Sequence, residues 1–231
     1  MSSAGRPDMP EKILILGGTA EAADLAARLV AEGKVDVLTS LAGRTANPAP
    51  IAGTIRIGGF GGVEGLARFL TENHIDRVID ATHPFATRIS ENARLACTSA
   101  GISLERLDRP SWVREDKDRW IEVATLEEAA AALPGGARTF LALGRQYLSA
   151  FETRDDCHFV IRMVDPPQKT LGFRDFELIL GKPSADPRSE AELLKRHRIT
   201  HLVCRNSGGN AGYGKILAAR ELSLPVVMIR R

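Results

Sequence analysis

The chain has 231 residues, of which 44% are hydrophobic and 26% charged, and its formal net charge is +2. These values are typical of a globular protein with a sizeable core, and they show no basic excess that would favour nucleic acid as a partner. The apolar stretches are shorter than the roughly 20 residues that span a membrane, and residues 1–11 lack the apolar core of a signal peptide. Three widely spaced cysteines and five histidines show no metal-ligand spacing, so we expect a cytoplasmic protein without a metal site.

Short apolar segments alternate with segments of helical period in the first half of the chain. The predicted strands are residues 13–16, 35–39, 54–57, 77–80 and 102–107. A helix is predicted over residues 20–32, with Leu25, Leu29 and Val30 on its buried face and Gly33 as its end. Two further helices carry Leu66 with Leu70 and Ala93 with Cys97. This alternation predicts a parallel, doubly wound sheet.

The same alternation resumes after a predicted linker at residues 108–111. The predicted strands are residues 120–123, 139–143, 159–164, 176–180, 201–204 and 226–229. Segments 125–128 and 189–192 each match a capping box and predict a helix start. A last helix is predicted over residues 215–222. We therefore expect an α/β protein with two lobes, residues 1–108 and 109–231, and a cleft between them.

A glycine turn lies between the first predicted strand and the first predicted helix. Gly17 and Gly18 would let the backbone approach a pyrophosphate, and the helix N-terminus offers free N–H groups and a favourable dipole. The G-x-G-x-x-G pattern is incomplete, because Ala22 stands where a later glycine is usual. A nucleotide site and a plain tight turn with Thr19 as N-cap both stay open.

The end of the second predicted strand distinguishes the two nicotinamide cofactors. An NAD enzyme usually has an acidic residue there, but Asp36 lies inside the strand. Thr39 and Ser40 stand at the strand end, and Arg44 follows them. A hydroxyl group and an arginine suit a 2′-phosphate, so NADP is favoured over NAD. The alternative for Arg44 is that it is an ordinary solvated arginine of a surface loop.

The segment Asp80-Ala81-Thr82-His83-Pro84-Phe85-Ala86 follows an apolar strand. Open α/β sheets bind ligands beyond the carboxyl ends of their strands, and Pro84 would damage a strand interior. The segment therefore predicts a strand that ends in an active-site loop. His83, beside Thr82, is a candidate proton donor or substrate contact, with a structural histidine as the alternative.

Three further loops are candidate binding segments. The glycine cluster 58–62 is either a flexible linker or a loop that closely approaches the cofactor. Residues 205–214 lie between a strand and a helix, so their N–H groups and Lys215 could hold an anion. Ile216 after the lysine departs from the P-loop pattern. Arg145 follows another strand and is a further candidate contact for an anion. For this site and for residues 205–215, the alternative is a flexible loop without a ligand.

Together these motifs resemble the precorrin-6A reductases, an NADPH-dependent family of corrin-ring biosynthesis. The resemblance is carried by residues 15–21, 40–44, 80–86 with Ser90 and Asn92, 206–209 with Lys215, and 218–222 with 225–227. It implies two Rossmann-like lobes with parallel sheets, NADPH on residues 1–108 and a tetrapyrrole bound with the help of residues 109–231. It also implies hydride transfer to a ring carbon and a proton added at its neighbour, giving precorrin-6B in cobalamin biosynthesis.

The motifs and the resemblance together give the expected site residues. Those expected to bind the cofactor are Gly17, Gly18, Thr19, Glu21, Ser40, Arg44, Gly59, Thr82 and His83. Those expected to bind the polycarboxylate substrate are Thr82, Phe85, Arg145, Arg205, Asn206, Ser207, Gly208 and Lys215. The candidate catalytic proton donors are His83, Tyr213 and Lys215, with bound water as the alternative. We expect the protein to be a monomer. The alternative functions are another NADP-dependent reductase and a non-catalytic NADP-sensing module.

Overall fold

The computed structural model describes residues 10–43 and 50–231. The chain divides into two compact units, residues 1–108 (unit 1) and 109–231 (unit 2). Each unit is built around one parallel β-sheet, which confirms the expected α/β class. Among the described residues, no helix is long and apolar enough to cross a membrane, and no group of three or more His, Cys, Asp or Glu could hold a metal ion.

Unit 1 alternates strands and helices. Its described elements are β1 (Glu11–Leu16), α1 (Ala20–Glu32), β2 (Val35–Leu41), β3 (Thr54–Ile57), α2 (Gly62–Glu72), β4 (Arg77–Asp80), α3 (Thr87–Ala100) and β5 (Ser103–Arg106). The strand order is β3-β2-β1-β4-β5, and all neighbours are parallel. The chain order reverses between β1 and β4, so the carboxyl ends of these two strands form the switch point where such sheets bind ligands.

Helix α1 has the predicted bounds but not the predicted buried face. Gly33 ends the helix with a φ of 65°, a conformation that favours glycine. Ala22 and Ala26 are fully buried against the sheet, whereas Val30 is 39% exposed. The assignment of Val30 to the buried face was therefore wrong. Small alanines let the helix lie close to the strands, and the larger side chains pack at the margin of this contact.

Strand β2 is two residues longer than predicted. It ends at Leu41, because its pairing with β3 continues to Leu41 opposite Ile57. Thr39 and Ser40 consequently lie inside the strand and are buried. Their expected position at the strand end is wrong, since the sequence shows the apolar run but not the partner strand that extends it.

Unit 2 has the same alternation. Its described elements are β6 (Arg119–Val123), α4 (Leu126–Ala131), β7 (Arg138–Ala142), two short 3-10 turns (Arg145–Tyr147 and Ser149–Phe151), β8 (His158–Met163), β9 (Phe176–Leu180), α5 (Pro187–Arg196), β10 (His201–Arg205), α6 (Gly214–Glu221) and β11 (Pro225–Ile229). The parallel strands have the order β6-β11-β10-β7-β8-β9. The switch point of this sheet lies between β7 and β10.

One of the two predicted capping boxes in unit 2 forms a helix cap. The Thr125 hydroxyl accepts a hydrogen bond of 3.0 Å from the backbone N–H of Glu128, as predicted. The prediction at Ser189 is wrong, because α5 already begins at Pro187 and Asp186 is its cap. A proline suits the first helical position, where its missing N–H has no cost and its fixed φ is helical.

Candidate active site

The glycine turn after β1 forms an open cradle at the carboxyl edge of the unit 1 sheet. The backbone N–H of Gly17 donates a hydrogen bond of 2.9 Å to the Ser40 carbonyl. A Cβ atom on Gly17 would lie 2.9 Å from Cγ2 of Thr39, so a side chain there would clash. Gly18 has a φ of 105°, and no described atom lies within 4 Å of the position its Cβ would take. The space above the turn therefore suits a pyrophosphate.

Thr19 connects this turn to the loop after β4. Its hydroxyl accepts a hydrogen bond of 3.1 Å from the backbone N–H of Ala22, which confirms it as the N-cap of α1. The same hydroxyl donates a hydrogen bond of 2.8 Å to the carbonyl of Ala81. The two candidate ligand segments of unit 1 thus meet at the switch point.

Asp80 organises the loop after β4. Its carboxylate is buried, and Oδ1 accepts hydrogen bonds from the backbone N–H of Thr82 (3.1 Å) and from its hydroxyl (2.6 Å). The other oxygen, Oδ2, pairs with Nη1 of Arg106 at 3.1 Å. Thr82 is therefore held in one orientation, with its hydroxyl 3.4 Å from that of Ser90.

His83 lies in the same loop and is half-buried. Its Nδ1 accepts a hydrogen bond of 3.3 Å from the backbone N–H of Phe85, and the two rings lie 5.9 Å apart. A neutral imidazole whose Nδ1 accepts a hydrogen bond carries its proton on Nε2. His83 can accordingly present an N–H donor; its catalytic role and the substrate contact of Phe85 stay predictions.

The glycine cluster 58–62 is an organised loop. The guanidinium of Arg56 donates hydrogen bonds to the carbonyls of Gly58 (2.6 Å) and Gly59 (2.7 Å). It also lies 4.1 Å above the ring centre of Phe60. These contacts favour the close-approach alternative over a free linker. The contact of Gly59 with a cofactor stays a prediction.

Three other predicted cofactor contacts have different outcomes. Ser40 is buried inside β2, and its carbonyl is bound by the Gly17 turn, so it does not stand at the strand end as expected. Arg44 lies outside the described residues. Glu21 is half-buried in the first turn of α1, close to the glycine turn, and its role stays a prediction.

Two arginines lie at the carboxyl edge of the unit 2 sheet, at or just beyond the ends of neighbouring strands. Arg145 is exposed in the 3-10 turn after β7, and Arg205 ends β10, the strand beside β7. The guanidinium of Arg205 stacks 4.0 Å from the ring centre of Tyr147. Stacking of this kind orients a guanidinium while its edge still donates hydrogen bonds. The arrangement can bind carboxylates.

Asn206 and Gly208 make structural contacts within unit 2, and their expected contact with substrate stays a prediction. The buried amide of Asn206 makes two hydrogen bonds to the backbone of Trp112, of 2.8 and 2.9 Å. A Cβ on Gly208 would lie 2.2 Å from the carbonyl oxygen of Pro110. Both residues therefore hold the segment that we expected to be a linker. Ser207 between them is half-buried, and its contact with substrate stays a prediction.

Tyr213 is also bound within unit 2. Arg220 pairs with both oxygens of the buried Asp118 (2.9 and 3.1 Å) and donates a hydrogen bond of 3.0 Å to the Tyr213 hydroxyl. That hydroxyl donates to Glu115 at 3.2 Å. Asp118 raises the pKa of Arg220 further above its usual value. The Tyr213 proton is thus directed to Glu115, which makes Tyr213 a weaker candidate for the proton donor.

Lys215 is a buried cation in unit 2. It is 7% exposed, and its Nζ donates a hydrogen bond of 2.5 Å to the carbonyl of Gly212. The ammonium also lies 4.9 Å from the ring centre of Trp112. Burial lowers the pKa of Lys215. A lysine with a lowered pKa releases its proton more readily, so Lys215 can act as a general acid.

A family model described as precorrin-6x reductase CbiJ/CobK matches residues 12–231. The chain belongs to this family. A precorrin-6A reductase from Sinorhizobium sp is 48% identical over 221 residues, which are 95% of this chain and 85% of the relative. One from Rhodobacter capsulatus is 42% identical over 221 residues, with 95% and 88% covered. The solved structure of the CobK precorrin-6A reductase is 43% identical, covers 96% of this chain and 88% of its own, and has a TM-score of 0.92.

Membership of the precorrin-6x reductase family confirms the resemblance found in the sequence and makes the protein an oxidoreductase. Sequence reasoning missed several residues that organise the candidate site. Asp80 had a signal in the sequence, since an acidic residue at the end of a buried strand usually has a partner. The residues that had no such signal are Arg56, Trp112, Tyr147 and Asp118, because their partners lie on other elements.

Proposed function

We propose that this member of the precorrin-6x reductase family catalyses the NADPH-dependent reduction of precorrin-6A to precorrin-6B in cobalamin biosynthesis. Hydride goes to one ring carbon of the macrocycle and a proton goes to the neighbouring carbon. The hydrogen bond between Thr19 and Ala81 is the observation that supports this best, because it joins the glycine turn to the His83 loop at the switch point of the sheet. A cofactor and a reacting group are expected at that point.

Unit 1 would bind the cofactor. The backbone of Gly17 and Gly18 and the N-terminus of α1 would hold the pyrophosphate, and Arg44 would bind the 2′-phosphate that distinguishes NADPH. Thr82 and His83 would line the nicotinamide pocket. Bound NADPH would supply the hydride, while the protein orients the reacting groups.

Unit 2 would bind the macrocycle, whose carboxylates need cationic partners. Arg145, just after β7, and Arg205, at the end of the neighbouring β10, would bind two of these groups. We assign delivery of the proton to Lys215, because it is buried and its pKa is lowered, whereas the Tyr213 hydroxyl already donates to Glu115.

Cys97, Cys157 and Cys204 are the three cysteines of the chain, and all are buried free thiols, as suits a reducing cytoplasm. We propose a cytoplasmic enzyme that acts as a monomer. Light scattering on the purified protein tests the oligomeric state.

The activity is tested by mixing the purified protein with NADPH and precorrin-6A and following nicotinamide absorbance. We expect oxidation of NADPH, and slower oxidation of NADH. Metal-free and cobalt-bearing substrates, assayed side by side, identify the form that is reduced. Lys215→Met should abolish turnover, whereas Lys195→Met, an exposed lysine on α5, should not. NADPH binding without oxidation would contradict the proposal and favour a sensing module.

A further inference from the structure

The carboxylate of Asp80 fixes the direction of a short chain of hydroxyl groups at the end of β4. Its side chain is 3% exposed, and its Oδ2 pairs with Nη1 of Arg106 at 3.1 Å. Its Oδ1 lies 2.6 Å from the hydroxyl oxygen of Thr82. A carboxylate can only accept hydrogen bonds, so the single proton of the Thr82 hydroxyl is donated to Asp80. The Thr82 oxygen is therefore left as an acceptor.

The hydroxyl of Ser90 extends this chain. Ser90 lies near the start of α3, and its hydroxyl oxygen is 3.4 Å from that of Thr82. Because the Thr82 proton is already donated to Asp80, Ser90 is the donor in this contact. A hydroxyl oxygen has two lone pairs, so Thr82 can accept from a second donor as well. Both side chains are only half-buried, which leaves Thr82 accessible to a ligand.

The backbone N–H groups at this end of β4 are bound within unit 1. The N–H of Ala81 donates to the carbonyl of Leu16 at 3.0 Å, and the N–H of Thr82 donates to Asp80 at 3.1 Å. A substrate carboxylate placed against Ala81 and Thr82 would therefore meet oxygen acceptors and no donor from these two residues. The group that suits the Thr82 hydroxyl is one that carries an N–H.

The strand order indicates which part of the cofactor carries that N–H. A dinucleotide crosses the switch point of such a sheet, with its pyrophosphate at the glycine turn after β1. Strands β2 and β4 pair with β1 on opposite sides. The sequence places the 2′-phosphate, and with it the adenosine half, beyond β2. The nicotinamide half is then expected beyond β4, and its carboxamide has two N–H donors.

We propose that the Thr82 hydroxyl, whose proton is held by Asp80, accepts a hydrogen bond from the carboxamide N–H of the nicotinamide. This inference rests on the proposed function, because it takes NADPH as the cofactor. A carboxamide held at its N–H orients the pyridine ring that carries it, and hydride transfer depends on that orientation. Thr82 is accordingly a contact of the cofactor and not of a substrate carboxylate.

The test compares three oxidised dinucleotides that differ only in the substituent on the pyridine ring. NADP⁺ has the carboxamide, its 3-acetylpyridine analogue has a methyl group in place of the amide nitrogen, and its nicotinic acid analogue has a carboxylate. Calorimetric titration of the full-length protein measures the Kd of each. We expect the acetyl analogue to bind about 2- to 12-fold more weakly than NADP⁺, the value of one neutral hydrogen bond.

The nicotinic acid analogue tests the direction of the hydrogen bond in the wild type. It places an acceptor against an acceptor, so we expect it to bind about 10-fold or more weakly than NADP⁺. Binding as tight as that of NADP⁺, or tighter, would overturn the proposal, because it would require a donor where we infer an acceptor.

Variants assign the discrimination to Thr82. Thr82→Val should bind NADP⁺ and the acetyl analogue with equal affinity, because the acceptor is lost. Thr82→Ser keeps the hydroxyl and should retain the difference. Thr87→Val, at the exposed start of α3, is the matched control and should behave like the wild type. A difference that persists in Thr82→Val would overturn the proposal.

The outcomes separate this inference from the proposed function. If Thr82→Val does not fold, the smaller Thr82→Ala makes the same comparison, and the order of affinities in the wild type still tests the acceptor. If NADP⁺ itself does not bind, the proposed function fails together with this inference. If NADP⁺ binds and precorrin-6A is reduced, but Thr82→Val still discriminates, the assignment of Thr82 alone fails.

Discussion

The hydroxyl of Thr19 makes a hydrogen bond of 2.8 Å to the carbonyl of Ala81 and also caps α1 through the backbone N–H of Ala22. One side chain thus joins the start of a helix to the loop after β4, although 62 residues separate Thr19 from Ala81. The glycine turn and the His83 loop keep their relative position through this contact.

Thr19→Val should destabilise unit 1 and weaken NADPH binding. Valine has nearly the same shape but can neither cap α1 nor bind the Ala81 carbonyl. We expect the free energy of unfolding to fall by about 1–3 kcal/mol, the combined value of a cap and one hydrogen bond. Urea denaturation and a fluorescence titration with NADPH measure the two effects. Thr19→Ser keeps the hydroxyl, so its unfolding free energy and its NADPH affinity should stay near those of the wild type. Equal losses of stability and affinity in both variants would contradict the role of the hydroxyl.

Asp80→Asn should destabilise the loop after β4. The amide can still accept from Thr82, but it loses the charged hydrogen bond with Arg106, worth about 1.5–3 kcal/mol. Asp108→Asn is the matched control, because Asp108 also pairs with Arg106 but its side chain is 74% exposed. We expect Asp108→Asn to lower the free energy of unfolding by less than about 1 kcal/mol. Urea unfolding measures the stability of the two variants. Similar losses of unfolding free energy would show that the burial of Asp80 does not strengthen its pairing with Arg106.

His83→Asn should reduce kcat more than it reduces NADPH affinity. Asparagine can replace Nδ1 as acceptor for the Phe85 N–H, but it lacks a donor at the position of Nε2. His83→Gln reaches further and should retain more activity. Steady-state kinetics and NADPH titration separate the two quantities. Unchanged turnover in His83→Asn would leave His83 with a structural role alone.

Arg44→Ala should weaken NADPH binding and leave NADH binding little changed. The loss expected is on the order of 1.5–3 kcal/mol, the value of a hydrogen bond to a charged group. Titration of both cofactors with the wild type and the variant measures it, with Arg28→Ala on the exposed side of α1 as control. If both cofactors lose affinity equally, Arg44 does not distinguish the 2′-phosphate.

Glu177 should make stability depend on pH in acid. Its carboxylate contacts His197 at 2.7 Å and also pairs with Arg138; the hydrogen bond from His197 is the main cause of its lowered pKa. The pKa of Glu177 is lower in the folded protein than its unfolded value of about 4.3. The ionised carboxylate therefore stabilises the fold fully above about pH 4.3, and this stabilisation is lost as the pH falls through the folded pKa.

The comparison of wild type with Glu177→Gln measures this effect. The difference in unfolding free energy should have its full value between about pH 5 and about pH 7 and should shrink below about pH 4. Glu192→Gln should show no such change. A difference that is constant over this range would contradict the assignment of the acid dependence to Glu177.

Local signals predicted most element bounds, and their failures have physical causes. Helix α1 is correct at both ends, because Thr19 and Gly33 act within one turn of the chain. The buried face of α1 and the end of β2 were wrong, since they depend on packing and on the partner strand β3. At α5 two local signals compete, and the proline at the first helical position prevails over the Ser189 pattern.

The sequence by itself determined the α/β class, the two parallel sheets, the candidate loops at strand ends and the family. Hydrophobic periodicity, glycines and helix caps act over a few residues, so they can be recognised in the sequence. Only the tertiary structure showed that Asn206 is bound to Trp112, 94 residues away, and that Glu190 lies beside Arg162 with one oxygen unpaired. Such contacts depend on strand order and helix packing, which local patterns do not encode. For this reason Thr19 was recognisable as a cap, but its bond to Ala81 was not.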